Sequence, residues 1–225
     1  MRKTTVESAV LLASGGLDST TLAYWLAEKN LPFSPLFIDY GQHCRQTELE
    51  TLKRVLPTNV RSQVEIVRIG DIYKGCRSRL IAAPDLWSDD VTGDDLYLPY
   101  RNLLMLSVGA AFAQARGHAR LYSAFINSNH AKEIDCSAEF FKRLGAMLSD
   151  YGTVRIEMPF RNLSKAEVAA IGLRLGAPIA ETYSCQAATT VPCGACPNCV
   201  DRAKALLAIQ EGNLKAATHV QRQRK

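Results

Sequence analysis

No apolar run in this chain is long enough to cross a bilayer. The longest such stretch, Asn102 to Ala115, falls well short of the roughly 20 residues that a spanning helix needs. The opening MRKTTVESAVLL is not expected to act as a signal peptide, because its apolar part is short and runs into a glycine turn instead of a cleavage site. There is no internal repeat and no low-complexity segment. Excess charge of one sign is scarce, since 27 Lys and Arg against 22 Asp and Glu leave only +5. That balance suits an anionic small molecule and is too weak for a nucleic-acid footprint, which needs clustering on one face. The visible basic cluster, Arg222, Arg224 and Lys225, reads as a solvated end. These absences lead to the expectation of a cytoplasmic protein with no membrane and no direct nucleic-acid partner. With 225 residues, 47% of them hydrophobic, the chain can bury one substantial core, as one domain or one domain with a small appendage.

Apolar patterning predicts an alternation of strands and helices. Ser8 to Ala13 is a short apolar run that reads as a buried parallel strand, and Ser19 to Lys29 carries Leu22, Trp25 and Leu26 at helical spacing. Phe37-Ile38 marks a second strand, Gln46 to Leu56 a second helix, and Val64 to Ile69 a third strand. Residues 71–98 show no clean period and read as a long loop over the site. Helix is expected from Asn102 to Arg116, strand from Arg120 to Phe125, helix from Ser137 to Ser149 and strand from Val154 to Met158. Ser164 to Glu167 has the spacing of a capping box, opening a helix that ends near Gly176. Such alternation implies right-handed crossovers and an α/β, doubly wound parallel sheet, with ligands beyond the carboxyl ends of the strands.

Ser14, Gly15, Gly16, Leu17, Asp18, Ser19 and Thr20 join the first strand to the first helix. The glycines allow several amide N–H groups to face one point, and the helix behind adds the positive end of its dipole. An anion with several oxygens fits there. Asp18 is out of place in a plain anion site, and its carboxylate makes sense if a divalent cation such as Mg2+ bridges it to phosphate. The plainer reading is a strand–helix turn in which Asp18-Ser19 serves as a cap. The loop is not the Walker type, because the lysine of that motif is missing. It resembles the SGGxDS loop of the ATP pyrophosphatase group, which implies ATP as the ligand but leaves the second substrate open.

Seven cysteines are an odd count, and a reducing compartment disfavours disulfides. Cys185, Cys193, Cys196 and Cys199 are spaced C-x7-C-x2-C-x2-C. Two tight x2 gaps let thiolates converge on one ion; four sulfurs suit a closed, structural Zn2+ site, with an iron–sulfur cluster as the rival. Isolated Cys44 and Cys76 read as small buried hydrophobes.

Taken together, the loop, the Phe37-Ile38-Asp39-Tyr40-Gly41-Gln42 segment, Leu98-Pro99-Tyr100-Arg101-Asn102, Ser164-Lys165-Ala166-Glu167 and the cysteine cluster resemble the 7-cyano-7-deazaguanine synthase family of ATP pyrophosphatases, from residue 8 to about 205. The resemblance implies an adenine-nucleotide alpha-hydrolase-like domain over 1–180 and a zinc-binding helical extension over 181–225. It implies a ligase that converts 7-carboxy-7-deazaguanine and ammonia to the nitrile through an acyl-adenylate. ATP is expected on residues 14 to 20 with Asp39, Arg101 and Asn102. The deazapurine carboxylate is expected on Tyr40, Gln42, Asn127, Asn129 and Asp135, and a homodimer is the expected assembly. Asp18, Arg101 and Lys165 are the candidate catalytic residues, the two cations neutralising polyphosphate unless they are ordinary surface charges.

One stretch departs from the family pattern. Asn127 and Asn129 stand where acids are expected, although Asp135-Cys136 is kept. A carboxylate accepts both N–H donors of a guanine-like edge, whereas an amide offers one acceptor and one donor pair. Two alternatives follow: a relative that stops at an amide by using another acid or amine, and a zinc-containing RNA-binding module with a vestigial loop.

Overall fold

Ala9–Leu12 is apolar on both sides because both sides are covered, and it forms β1 at the centre of the sheet. The computed structural model describes residues 8–85, 91–126, 136–187 and 190–211. After β1 come α1 (Leu17–Glu28), β2 (Phe33–Asp39), α2 (Arg45–Val55), β3 (Glu65–Arg68), α3 (Arg101–Ala115), β4 (Arg120–Tyr122), α4 (Ala138–Tyr151), β5 (Arg155–Glu157), α5 (Lys165–Arg174) and α6 (Pro197–Gln210). All strand pairs are parallel, in the order β3-β2-β1-β4-β5. Strand order therefore reverses between β1 and β4, and a crevice opens there beyond the carboxyl ends.

Alternation along each strand sorts the core into two layers. Ala9, Leu11, Phe33 and Phe37 point to the face covered by α1, α2 and α5, where Leu22, Leu26, Leu52 and Ile171 pack. Val10, Leu36 and Ile38 point to the other, with Leu106, Leu121 and Phe141 of α3, β4 and α4. Pro35 is tolerated within β2 because it is paired only to Leu11 of β1; the ladder to β3 starts one residue later, at Leu36.

Local chemistry sets the helix ends. Ser164 Oγ accepts from Glu167 N at 3.2 Å and Glu167 Oε2 accepts from Ser164 N at 2.7 Å, the capping box expected there. Gly172 lets α5 press on α1: a Cβ there would lie 2.5 Å from Thr21 Oγ1 and 2.6 Å from Ile179 Cδ1. That close approach brings the start of α5 to the start of α1.

Two expectations are refined. Strand β4 ends at Tyr122, not Phe125, since its partner β5 ends at Glu157; Ser123 N makes one more bond, to Glu157 O, and the chain then turns away. The stretch 71–98 is irregular but packed in its described part. Leu80, Leu96 and Leu98 form a small core with Tyr40 and Tyr73, tied by Arg79 N to Asp95 O at 2.7 Å and His43 N to Leu80 O at 3.0 Å. No helix among the described residues is long and apolar enough to cross a membrane.

Candidate active site

The crevice is a cleft of about 270 Å³, walled by the apolar side chains of Leu36, Ile38, Met105 and Phe125 and edged by Ser14, Asp18, Ser19, Glu48 and Arg101. At its base lies the glycine turn. Gly15 adopts φ +78, and a Cβ on it would sit 2.7 Å from Glu48 O and 2.8 Å from Leu52 N, so the turn rests directly on the α2 backbone. The bonds within the turn are long: Ser14 N donates to Ser19 Oγ, Gly16 N to Ser14 Oγ and Ser19 Oγ to Gly16 O, all at 3.3 Å. No side chain caps α1, unlike α4 and α5, so its first amide donors are left facing the cleft at the positive end of the helix. Leu17 supplies only backbone here, because its side chain is in the core. Thr20 is fully buried, and its Oγ1 has no partner among the described residues.

Asp18 lies in the first turn of α1. Its Oδ2 is 3.4 Å from Lys165 Nζ, while its buried Oδ1 has no partner among the described residues. Burial pushes this carboxyl above the usual carboxylate range, against the pull of Lys165 and of Arg202. A divalent cation beside Oδ1 would reverse that balance, and the orphaned oxygen fits one. Lys165 opens α5 and Arg101 opens α3, each a cation at the positive end of a helix. That placement costs stability unless an anion stands in front. Tyr100, just before Arg101, has φ +56, a strained conformation for a bulky residue that fixes how the arginine enters the cleft.

The other expected residues divide. Tyr40 and Gln42 line the cleft. Burial raises the Tyr40 phenol pKa, keeping it neutral. Gln42 is 1% exposed and its amide is committed: Oε1 accepts from Tyr40 N at 2.9 Å, and Nε2 donates to Ile38 O at 3.4 Å and Glu48 Oε2 at 2.9 Å. Asp39 accepts from Gly41 N at 3.0 Å and faces Arg45 at 4.0 Å, shaping the turn after β2. Asn102 does not line the cleft; its buried amide donates to Cys136 Sγ at 2.8 Å. Asn127, Asn129 and Asp135 lie outside the described residues. Glu48 was missed by the sequence reading. It precedes Leu52 by four residues and Val55 by seven, so it is an acid on the inward stripe of α2, and that misplacement is the signal that finds it.

The four clustered cysteines meet. Their sulfurs all lie within 4.8 Å of one another, and a tetrahedral ion bound at thiolate distance draws sulfurs to about 3.8 Å. Cys193 N and Cys196 N point at Cys185 Sγ and Cys193 Sγ, at 3.4 and 3.2 Å, and Gly194 at φ +75 turns the knuckle. Burial raises the Cys199 thiol to about 11, so this group stays protonated until a cation favours the thiolate. The cluster is tied to the glycine turn: Tyr183 N donates to Gly15 O at 3.1 Å, and Gln186 lines the cleft with its carbonyl 2.9 Å from His43 Nε2. Arg202 of α6 bonds Ile179 O at 2.6 Å, Ala180 O at 3.2 Å and Thr182 Oγ1, holding α6 against the segment that follows α5. Cys44 is buried, as a small hydrophobe would be.

The doubly wound sheet with an uncapped glycine turn at its switch point and Arg101 in the crevice is an α/β fold of the adenine-nucleotide alpha-hydrolase-like class. Its fold matches that of a 4-thiouridine synthetase solved as an RNA complex with bound ATP, at TM-score 0.50 and 15% identity, over 95% of this chain and 54% of that one. The chain belongs to the family described as "Queuosine biosynthesis protein QueC", whose sequence model matches residues 8–210. A relative from Methanospirillum hungatei named 7-cyano-7-deazaguanine synthase is 33% identical over 208 residues, covering 88% of this chain and 93% of its own. One of the same name from Archaeoglobus fulgidus is 31% identical over 206 residues, covering 89% and 86%.

Proposed function

We propose that this enzyme makes 7-cyano-7-deazaguanine from 7-carboxy-7-deazaguanine and ammonia, using ATP. The names of its full-length relatives support the product, and the observation that carries the ATP chemistry is the uncapped glycine turn facing Asp18, Lys165 and Arg101. A carboxylate is a poor electrophile, and its oxygen becomes a leaving group only when esterified to phosphate. The acid oxygen attacks the α-phosphorus as the bond to pyrophosphate breaks. Ammonia then adds to the acyl carbon, and AMP leaves with the amide. A second ATP adenylates the amide oxygen, and loss of AMP and a proton gives the nitrile.

The chain's own residues position and neutralise. Amides of Gly15 to Ser19 hold the departing pyrophosphate, with Lys165 and Arg101 facing the charge that develops on it. Asp18 Oδ1 would hold Mg2+, which when bound offsets polyphosphate charge. Asn102 acts from behind, orienting the start of α3 through Cys136. The crowded thiols support a single Zn2+ over a cluster, in which separate irons would each take a thiolate. The expected test incubates the protein with ATP, Mg2+, ammonium and 7-carboxy-7-deazaguanine. Pyrophosphate release and a product of nitrile mass support the reading. Absence of pyrophosphate release refutes it, and an amide end product, which Asn127 and Asn129 favour, moves it to the amide-forming alternative.

A further inference from the structure

Glu48 is a carboxylate for which the proposed chemistry has no step. It does not reach a cation within ion-pair distance among the described residues, yet it lines the cleft from the inward stripe of α2. Such a group costs stability in that position, because burial pushes its carboxyl above the ordinary range and Asp39 adds to the effect, while Gln42, Cys44 and Arg101 oppose it. A bracket also holds it in one orientation. Gln42 Nε2 donates to Glu48 Oε2 at 2.9 Å, and Gln42 itself is fixed by Tyr40 N and Ile38 O, with 1% of its surface exposed. Side chains are braced this way when their direction matters more than their solvation.

Resting on the proposed deazapurine substrate, we infer that Glu48 is the specificity-determining residue that reads the edge of the base carrying a ring N–H and an exocyclic amine. Three observations converge. The cleft that it lines is also bordered by the apolar side chains of Ile38, Met105 and Phe125, surfaces on which a planar ring can rest. Of the carboxylates edging the cleft among the described residues, Asp18 is committed to Lys165 at the glycine turn, which leaves Glu48 for the base. Its own backbone carbonyl abuts that turn, where a Cβ on Gly15 would meet it at 2.7 Å. A base held by its amine edge on Glu48 would direct its far edge, which bears the carboxyl in the proposed substrate, away from α2 and into the cleft. A carboxylate accepts from two adjacent donors. The adenine edge presents one donor and one acceptor, so the ionised group discriminates between substrate and ATP.

The test is Glu48→Gln, near-isosteric, with separate steady-state titrations of acid and ATP on the metal-loaded enzyme. The expected result is a KM for 7-carboxy-7-deazaguanine raised roughly 10- to 100-fold, with the KM for ATP unchanged. Wild-type enzyme should in turn bind the analogue lacking the exocyclic amine at least about tenfold more weakly, a preference that Glu48→Gln erases. The wild-type analogue measurement stands even where the variant folds poorly. An unchanged acid KM in the variant, or wild-type indifference to the amine, overturns the assignment alone. A shift confined to ATP assigns Glu48 to adenine and overturns it as well. Failure of wild type to bind the acid at all overturns the substrate and this role together.

Discussion

Replacing Gly15 with alanine should destabilise the protein by about 2–5 kcal/mol. Two separable costs contribute. An L-residue at φ +78 loses about 1–2 kcal/mol to the left-handed conformation. The added methyl then meets Glu48 O at 2.7 Å and Leu52 N at 2.8 Å, both backbone atoms of α2 that cannot rotate away. Relieving that overlap moves either the turn or the helix, at the cost of about 1–3 kcal/mol typical of overpacking. Gly176 supplies the control. Its φ is +72, but nothing lies within 4 Å of a Cβ built on it, so Gly176→Ala carries only the torsional cost of about 1–2 kcal/mol. Urea unfolding of the two variants measures the difference at unchanged slope. Gly15→Ala should lie about 1–3 kcal/mol below Gly176→Ala and should raise the KM for ATP, which Gly176→Ala leaves alone. Equal midpoint shifts would show that the turn does not rest on α2, and the account of the phosphate site would fall with it.

Asp18→Asn should abolish pyrophosphate release while leaving the metal-free protein as stable as wild type or slightly more so. The folded state holds the Asp18 proton more tightly than the unfolded chain does, so metal-free wild type loses stability as pH rises from the ordinary 3.8 through the raised value, and the variant should not. Urea midpoints between pH 4 and 7 check this, and a midpoint falling equally in both refutes the unpaired oxygen as the cause. Cys196→Ser should lose bound metal, measured by elemental analysis, together with several degrees of thermal stability; unaltered melting with metal absent would rule out a structural site. Arg202→Ala strips three hydrogen bonds that join α6 to the segment after α5 and should cost about 1–3 kcal/mol in urea unfolding.

Local signals carried much of this architecture. The apolar run before Ser14, the glycines after it and the Ser164–Glu167 spacing each act over a few residues, and each element lies where its pattern places it. The cysteine spacing likewise foretells the cluster, because two x2 gaps leave little freedom. What depends on distant partners was less legible. Asn102 adjoins Arg101 in sequence, yet one step along a helix turns a side chain by about 100°, and the amide ends on Cys136 instead of in the cleft. The stretch after β3 shows no period because its order comes from Leu80, Leu96 and Leu98 meeting Tyr40 and Tyr73 across the fold. Glu48 was legible in principle, as an acid on an apolar stripe, but only its geometry against Gln42 gives it a purpose.

The bond from Tyr183 to the carbonyl of Gly15 joins residues far apart along the polypeptide. During synthesis the turn is therefore made well before the brace that steadies it and the thiols beside that brace. A chain interrupted between the two is expected to carry the glycine turn without its support and to handle nucleotide poorly.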